Sequence, residues 1–571
     1  MSPLNRRNLL LFSSLFLPTL AIFLLLSSTF DLLAGPLHYT AQPRAGDFHV
    51  HRRQQLQEET ARSHCEGTLY PELCVSTVSV FPDLALKSLP QIIAATIKLT
   101  SKDVVMAAAK CSGIKQSWLR RLGPLEQHAL DDCRELFQHT VDEFRIALPD
   151  LNGTSSASKH IDDLQTLLSG AMTNQFTCLD GFAYSNSSVR NKIEEGLVRI
   201  SRHVSNSLSM LKKVPGANKT RSTAAAPKVY GSLHGGFPSW VSGKDRRLLQ
   251  ASTNETKFDL IVAKDGTGNF TNITDALAAA PNSSTTRFVI YIKAGAYFEN
   301  VEVISKQKNL MFVGDGIEKT WIKGNRSVVD GWTTFRSATV AVVGNGFIAK
   351  GISFENYAGP EKHQAVALRS GSDLSVFYQC RFIGYQDTLY VHSLRQFYRE
   401  CDIYGTVDFI FGNAATVLQN CNLYARRPLD NQQNIFTAQG RDDPNQNTGI
   451  SILGCKVAAA SDLIPVQSSF RTYLGRPWKQ YSRTVFMNSY IEDLVDPAGW
   501  LEWNGTVGLS TLYYGEYMNA GPGSNTSARV TWPGYRVINS SAEASQFTVG
   551  EFIQGNDWLN GTGVPYYAGL S

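Results

Sequence analysis

The chain has 571 residues, of which 43% are hydrophobic and 18% charged, a composition typical of a globular protein too long for one ordinary domain. Its formal net charge is +5 and it contains no dense run of lysine and arginine, which argues against nucleic acid as a partner and favours a mildly acidic ligand. Nine cysteines without paired Cys-x-x-Cys motifs argue against a zinc site, and nothing else calls for a metal or a cofactor.

Residues 1–30 begin with Arg6 and Arg7 and continue as an uncharged run rich in leucine and phenylalanine. A basic start before an apolar run is typical of a secretory signal peptide. The run is also long enough to cross a bilayer, so an uncleaved signal-anchor is an equal alternative. In both cases the rest of the chain is predicted to be exported. Asn-x-Ser/Thr glycosylation sites agree with export, among them those at Asn152, Asn218, Asn269, Asn504 and Asn560.

Residues 58–211 show a helical pattern, because their apolar positions recur at intervals of three and four. Four such stretches with short connections predict an up-and-down four-helix bundle. Cys65 and Cys74 bracket a short loop before the bundle, and Cys133 and Cys178 lie on different predicted helices. In an oxidising compartment, the pairs 65–74 and 133–178 would stabilise this region as disulfides.

Residues 212–254 lose this periodicity and are rich in small and turn-forming residues, which predicts a linker. The linker contains the dibasic sequence Arg246-Arg247-Leu248-Leu249. Exposed polar linkers are where proteolysis concentrates, so this sequence is a candidate processing site.

From residue 255 to the end at 571, the pattern changes to short β-type runs separated by glycine-bearing turns. Similar segments recur every 20–25 residues around Cys380, Cys401 and Cys421, which predicts a solenoid of stacked parallel strands. Cysteines on neighbouring coils could approach closely enough for a disulfide. The spacing alone does not choose between the pairs 380–401 and 401–421.

Gln364, Gln386 and Asp408 are 22 residues apart in each case. If one coil of the solenoid has this length, the three side chains line one column, about 4.8 Å apart. Asp387 would add a second carboxylate beside the column. Two amides and two carboxylates in one place predict a functional site, although solvated surface carboxylates are the ordinary alternative.

Five segments then resemble the signature segments of plant pectin methylesterases and occur in that family's order: 295–299, 364–368, 386–389, 408–412 and 474–478. The resemblance implies a right-handed parallel β-helix over residues 255–571. It also implies hydrolysis of the methyl esters of homogalacturonan, giving pectate and methanol. Residues 130–133 and 177–180 resemble the inhibitor domain of the same enzymes, which implies a pro-domain that restrains activity or assists folding.

Side-chain chemistry fits this activity without a serine nucleophile, since no Gly-x-Ser-x-Gly motif is present. By the resemblance, Asp408 is the nucleophile, Asp387 is the acid and then the base, and Arg476 orients Asp408. Two nearby carboxylates resist ionising together, so one of them keeps its proton and serves as the acid. The amides of Gln386 and Gln364 are suited to stabilising a tetrahedral oxyanion.

The resemblance further implies substrate contacts for Thr334, Gln364, Arg476 and Trp478. It favours Cys401–Cys421 as the disulfide of the β region. It also implies pectin in the plant cell wall as the substrate, a subtilisin-like protease acting at the dibasic sequence, and inhibitor proteins as further partners.

Two other functions are consistent with a solenoid that carries paired carboxylates. One is a polysaccharide hydrolase that cleaves glycosidic bonds. The other is a carbohydrate-binding protein without catalysis. Release of methanol at unchanged polymer length supports the esterase, and new reducing ends support the hydrolase.

Overall fold

A computed structural model describes residues 45–153, 157–158, 160–185, 188–215 and 258–570. The predicted signal peptide or anchor at residues 1–30 and the candidate processing sequence Arg246–Leu249 lie outside these residues. Among the residues that are described, no helix combines the length and the apolar character needed to cross a membrane.

The first half of the chain is helical. Its helices are α1 (Ala45–Cys65), α2 (Pro71–Val78), α3 (Leu89–Trp118), α4 (Pro124–Asn152), α5 (Ile161–Asp180) and α6 (Val189–Leu211). Helix α3 packs against α4 and α6, and α5 packs against the same two helices, so the four long helices enclose one apolar core. The start of α3 illustrates the local cause, because the backbone N–H of Ser88 donates to the side chain of Gln91 at 2.9 Å and closes a capping box.

Two disulfides lie in this helical region, as the sequence predicts. Cys65 and Cys74 have Cα atoms 5.7 Å apart and join the end of α1 to α2. Cys133 on α4 and Cys178 on α5 have Cα atoms 4.6 Å apart. The second bond therefore ties together α4 and α5, two helices whose side chains also bond to residues of the second half of the chain.

Residues 258–570 form three parallel sheets. The eleven-stranded sheet contains β1 (Leu260–Val262), β2 (Phe288–Ile292), β5 (Leu310–Gly314), β8 (Ile348–Lys350), β11 (Ser375–Tyr378), β14 (Arg395–Arg399), β17 (Ala415–Gln419), β20 (Gly449–Leu453), β23 (Arg483–Met487), β25 (Tyr513–Tyr517) and β26 (Tyr535–Val537). The seven-stranded sheet contains β4 (Val301–Val303), β7 (Val340–Val342), β10 (Leu368–Ser370), β13 (Leu389–Val391), β16 (Ile410–Gly412), β19 (Asn434–Gln439) and β22 (Thr472–Gly475). The eight-stranded sheet contains β3 (Gly295–Phe298), β6 (Thr320–Gly324), β9 (Ser353–Asn356), β12 (Arg381–Ile383), β15 (Asp402–Gly405), β18 (Asn422–Ala425), β21 (Lys456–Ala459) and β24 (Tyr490–Ile491).

Consecutive strands visit the three sheets in turn, so the chain winds as a coil whose turns stack in parallel. This confirms the stacked parallel strands that the sequence predicts. Short helices lie at the two ends of this β domain: α7 (Ile273–Ala279), α8 (Ser541–Ser545), α9 (Val549–Phe552) and α10 (Gly555–Trp558).

Side chains that point into the coil stack on the equivalent side chains of the next turn. Phe377 and Tyr398, for example, have parallel rings with centroids 4.8 Å apart. Between the eleven-stranded and eight-stranded sheets the chain turns at a single residue with positive φ, as at Glu400 (53°) and Asn420 (54°). This repeated turn keeps successive coils in register, and the register carries the functional side chains into one place.

The predicted disulfide Cys401–Cys421 is wrong. Both residues are free thiols in the core, as are Cys380 and Cys455. The thiol of Cys401 donates instead to the carbonyl of Phe377 on the preceding coil, at 3.3 Å. The sulfur of Cys421 instead accepts a hydrogen bond from the backbone N–H of Cys401 at 3.4 Å.

The described residues from Glu59 onward form one compact unit, in which α4 and α5 lie against the seven-stranded sheet. Helix α5 meets the sheet through a stripe of hydroxyl side chains: Thr166, Ser169, Thr173 and Thr177. Asn413, for example, donates to the hydroxyl of Thr173 at 2.9 Å, and the hydroxyl of Thr177 lies 3.0 Å from Nε2 of His392. The contact between helical domain and β domain is therefore largely polar at this helix.

Candidate active site

The two candidate catalytic carboxylates lie side by side on adjacent coils. Asp387 precedes β13 and Asp408 precedes β16, and these strands are neighbours in the seven-stranded sheet. Leu389 pairs with Ile410, and the N–H of Asp387 donates to the carbonyl of Val407 at 3.1 Å. In this parallel pair each N–H donates to the carbonyl of the residue before its partner, as Leu389 does to Phe409. The partner of Asp387 is therefore Asp408, an offset of 21 residues. The predicted 22-residue column, which places Gln386 opposite Asp408, is wrong by one residue at this coil.

The two glutamines keep the predicted offset. The N–H of Ala365 donates to the carbonyl of Gln386 at 3.2 Å, which places Gln364 next to Gln386 on the neighbouring coil. The amide pair therefore lies beside the carboxylate pair.

Arg476 follows β22 and binds only one of the two carboxylates. Its Nε donates to Oδ1 of Asp408 at 2.8 Å, and its Nη2 donates to Oδ2 at 2.6 Å. A two-pronged bond of this kind fixes both the charge and the orientation of a carboxylate. Asp387 receives no such bond, so the two acids are chemically different.

The electrostatics follow the same asymmetry. Burial raises the pKa of Asp387 well above its usual range, and the neighbouring Asp408 raises it further. Burial also raises the pKa of Asp408, but the charge and hydrogen bonds of Arg476 oppose that effect. The arrangement thus favours a protonated Asp387 beside an ionised Asp408.

These side chains line a cavity of about 200 Å³ at the contact between the two domains. Every residue that the sequence singles out for catalysis or substrate contact lines it: Thr334, Gln364, Gln386, Asp387, Asp408, Arg476 and Trp478. Aromatic side chains that the sequence analysis misses complete the wall of the β domain: Phe335, Tyr390, Phe411 and Trp503.

Trp503 is the most informative of the missed residues. The guanidinium of Arg476 lies 4.3 Å from the centre of its ring. Gly475 pairs with Trp500, and the N–H of Leu501 donates to the carbonyl of Gly475 at 3.0 Å. Trp503 is therefore brought in by the coil that follows Arg476. A tryptophan in a polar loop one coil after the arginine is the signal that could have found it.

The helical domain closes the other side of the cavity with Leu125 of α4 and with the end of α5 and the turn after it. In that turn, the hydroxyl of Tyr184 accepts a hydrogen bond from Nε2 of Gln364 at 2.8 Å. Burial and the charges of Asp387 and Asp408 raise the pKa of Tyr184 to about 12. The phenol is thus neutral, and by accepting this hydrogen bond it engages the amide of Gln364.

Within the described part of the chain, no group of three or more His, Cys, Asp or Glu side chains is placed to hold a metal ion. The chemistry available in the cavity is that of carboxylates, amides and one guanidinium. A carboxylate can attack a carbonyl carbon, and the amides can stabilise the oxyanion that forms.

Residues 259–556, more than half of the chain, match the family model described as Pectinesterase. The chain belongs to the pectinesterase family. Residues 59–210 match a second family model, plant invertase/pectin methylesterase inhibitor. The chain is thus a pectinesterase, a carboxylic ester hydrolase, that carries an inhibitor-like domain ahead of its β domain.

Similar proteins agree over most of this length. The chain is 52% identical over 492 residues to the probable pectinesterase/pectinesterase inhibitor 39 of Arabidopsis thaliana, covering 85% of this chain and 91% of that protein. It is 51% identical over 522 residues to pectinesterase 1 of Citrus sinensis, covering 89% of this chain and 88% of that protein. Among solved structures, the pectin methylesterase from carrot is similar, with a TM-score of 0.55 and 59% identity, covering 56% of this chain and all of that chain.

Proposed function

We propose that this pectinesterase hydrolyses the methyl esters of homogalacturonan, leaving pectate and methanol, with Asp408 as the nucleophile. The observation that carries the proposal is the asymmetry of the carboxylate pair. Arg476 binds Asp408 through two hydrogen bonds, whereas Asp387 lies opposite it with a more strongly raised pKa. One carboxylate is suited to attack and the other to give up a proton.

The reaction then runs in two steps. The carboxylate of Asp408 attacks the ester carbonyl, and the amides of Gln386 and Gln364 donate to the oxyanion that forms. Asp387 gives its proton to the departing methanol, which leaves an anhydride between Asp408 and the sugar carboxyl. Asp387, now ionised, takes a proton from water as the water attacks the anhydride, and this restores both acids. One oxyanion donor is typically worth about 2.7–4 kcal/mol.

Thr334, Trp478 and Trp503 supply the substrate contacts in this proposal. The two indoles offer apolar plates for sugar rings beside Arg476, and Thr334 also lines the cavity. An assay on pectin distinguishes the candidate functions. Methanol release at unchanged polymer length is expected here. New reducing ends would support a glycosidic hydrolase, and the absence of both products would support a simple binding protein.

We further propose the finer points that the family implies for this chain. The β coil is right-handed, in keeping with the strong preference of parallel crossovers for that hand. The helical domain is an up-and-down four-helix bundle. The protein is exported to the plant cell wall, by a cleaved signal or through an anchored form, and a subtilisin-like protease separates the domains at Arg246–Leu249. Separate inhibitor proteins bind the same face of the β domain.

In the uncut chain the helical domain restrains activity. The end of α5 and the turn that follows it cover the carboxylate pair, and Lys479 is bound to Asp180 of α5 at 2.8 Å. Tyr184 occupies the amide of Gln364. A polymer cannot lie across a site that is closed in this way, although a small ester has about 200 Å³ available.

Replacing Tyr184 tests this restraint. Tyr184→Phe removes the oxygen that occupies Gln364 and keeps the ring. One hydrogen bond of this kind is worth about 0.5–1.5 kcal/mol, so hydrolysis of a small methyl ester by the uncut chain should rise about 2- to 10-fold. Hydrolysis of the polymer should stay low, because α5 still covers the site.

Tyr490→Phe serves as the matched control, since Tyr490 is about half exposed on the eight-stranded sheet. Unchanged small-ester hydrolysis in Tyr184→Phe would show that the hydroxyl of Tyr184 takes no part in the restraint. The restraint would then come only from the helical domain blocking access to the site.

The role of Arg476 predicts a change in pH dependence. Asp408 must be ionised to attack, so activity is lost as the pH falls through its pKa. Arg476→Gln removes the cation that opposes the effect of burial, so that pKa should rise. A neighbouring arginine typically lowers a carboxyl pKa by about 1–3 units, and the acid limb of the pH–rate profile should move up by a similar amount.

Methanol release from pectin by the cut protein, measured across pH, gives this profile. Arg381→Gln, which removes a guanidinium from the eight-stranded sheet, should leave the acid limb in place. An unshifted limb in Arg476→Gln would mean that the protonation of Asp408 does not control the rate.

A further inference from the structure

Three cations on the seven-stranded sheet face are bound by carboxylates of the helical domain. Nη2 of Arg336 lies 2.8 Å from Oε2 of Glu135. The same guanidinium binds Asp132, and Arg369 approaches the other oxygen of Glu135 at 3.7 Å.

The third cation is Lys479, whose Nζ lies 2.8 Å from Oδ1 of Asp180. All three cationic side chains are at least three-quarters buried in the uncut chain. The helical domain thus places a carboxylate on each of these three buried cations.

The β domain supplies no carboxylate of its own to these cations. Among the described residues, Arg336, Arg369 and Lys479 form ion pairs within 4.0 Å only with the helical domain. Glu302 acts on the two arginines, and Asp442 on the lysine, only at longer range. Departure of the helical domain would therefore leave three cations without partners.

Cations on the eight-stranded sheet are arranged differently. Lys323 pairs with Glu355 at 2.7 Å, and Lys456 pairs with Glu492 at 2.8 Å. Both partners lie in the β domain itself. These two lysines therefore keep their partners when the helical domain departs, unlike the three cations beside the candidate active site.

The three cations lie on both sides of the carboxylate pair. In the seven-stranded sheet, Arg336 precedes β7 and Arg369 lies in β10, whereas Lys479 follows β22 at the other end of the sheet. Asp387 and Asp408 precede β13 and β16, between them. From β7 to β22 is five strand spacings, about 24 Å, which is room for several sugar residues of an extended polymer.

We propose that Asp132, Glu135 and Asp180 of the helical domain occupy the positions of free carboxylates in de-esterified galacturonan. After the helical domain departs, Arg336, Arg369 and Lys479 bind such carboxylates on both sides of the ester being cleaved. The inference rests on the proposed function for its choice of polyanion. The face then holds a chain that already carries free acids, and the restraining domain competes with that chain by charge mimicry.

A displacement experiment tests the mimicry. The linker of the full chain is cut by limited proteolysis, and the two halves stay associated through the contacts above. Two oligogalacturonates of equal length are then added separately: one fully de-esterified, the other fully amidated and therefore uncharged and not a methyl ester. Release of the helical half is followed by size-exclusion chromatography at constant ionic strength.

The readout is the ratio of the two concentrations that release half of the helical domain. Any change in the affinity of the two halves for each other cancels in this ratio. We expect the de-esterified oligomer to act at a concentration at least 10-fold lower. Lys479→Gln and Arg336→Gln should each lower the ratio several-fold, and the ratio should fall as salt rises, as is general for exposed charges.

Lys456→Gln and Arg381→Gln are the matched controls, since they remove the same charges from the eight-stranded sheet and should keep the parental ratio. A ratio near one in the parent overturns the proposal, as does equal loss in the test and control variants, or release by neither oligomer. Thermal unfolding identifies a variant that does not fold, and the other of the two test variants then decides alone.

Methanol release from pectin is measured in parallel on the β half of the parent, collected after its helical half has been displaced. A high concentration ratio without methanol release would contradict the proposed function, and the face would then be a polyanion-binding surface without esterase activity. Methanol release with a concentration ratio near one would contradict the charge mimicry, and the proposed esterase activity would stand.

Discussion

Asp408→Asn should abolish methanol release from pectin by the cut protein, whereas Asp387→Asn should leave a measurable rate. The first change removes the oxygen anion that attacks the ester, so no covalent intermediate can form. The second keeps that anion and its bonds to Arg476, and removes only the proton donor and the later base. General acid–base catalysis typically accelerates a reaction by about 10²–10⁴-fold. Asp387→Asn should therefore release methanol about 10²–10⁴-fold more slowly than the parent.

Both changes are nearly isosteric, and both positions have positive φ, 63° at Asp387 and 52° at Asp408. Asparagine tolerates that conformation, so the fold should survive, and far-UV circular dichroism checks this. Asp402→Asn on the eight-stranded sheet is a suitable control for loss of a carboxylate. A folded Asp408→Asn protein that retains more than about a hundredth of the parental rate would make direct attack by Asp408 untenable.

Joint replacement of Arg246 and Arg247 by alanine should keep the chain at full length and nearly inactive on polymeric pectin. The reason is geometric, because the uncut helical domain lies over the carboxylate pair and holds Lys479 through Asp180. In a plant secretory system, the parent should accumulate in the wall as the shorter, active form. Immunoblotting measures the chain length. Methanol release from pectin measures the activity.

Arg221→Ala combined with Lys228→Ala, in the same predicted linker, provides a control for loss of positive charge away from the dibasic sequence. Normal trimming of the Arg246/Arg247 variant would place processing elsewhere. Full polymer activity in an uncut variant would show that the helical domain does not restrain the enzyme.

The architecture of the β domain could be predicted because its cause is local and repeated. Short β runs recur at the length of one coil, and apolar side chains such as Phe377 and Tyr398 stack on their equivalents. The seven residues assigned from sequence to catalysis or substrate contact all line one cavity for the same reason. Repetition in the sequence becomes proximity in space.

The exact offset between coils could not be predicted in this way. Neighbouring coils differ by one residue in length, so Asp387, and not Gln386, lies opposite Asp408. The error over Cys401 and Cys421 has a related origin, since stacking in register places two thiols above each other without bringing them to bonding distance.

Contacts between the domains could not be predicted from the sequence for another reason. Tyr184 meets Gln364 only because α5 docks on the sheet, and no periodic pattern within either domain encodes that docking. Trp503 was missed because its position depends on the pairing of a loop with β22.

The hydroxyl stripe of α5 has a consequence for the two fragments after cleavage. Helix α5 is largely buried against the β domain, yet its contact side carries Thr166, Ser169, Thr173 and Thr177, which bond to amide and imidazole groups. Water can replace each of these partners when the halves separate. The strip of each newly uncovered surface that holds these hydroxyls or their partners is therefore wettable, whereas neighbouring side chains such as Tyr390 and Phe411 remain apolar. Self-association of either fragment should start from those apolar side chains and not from the hydroxyl stripe.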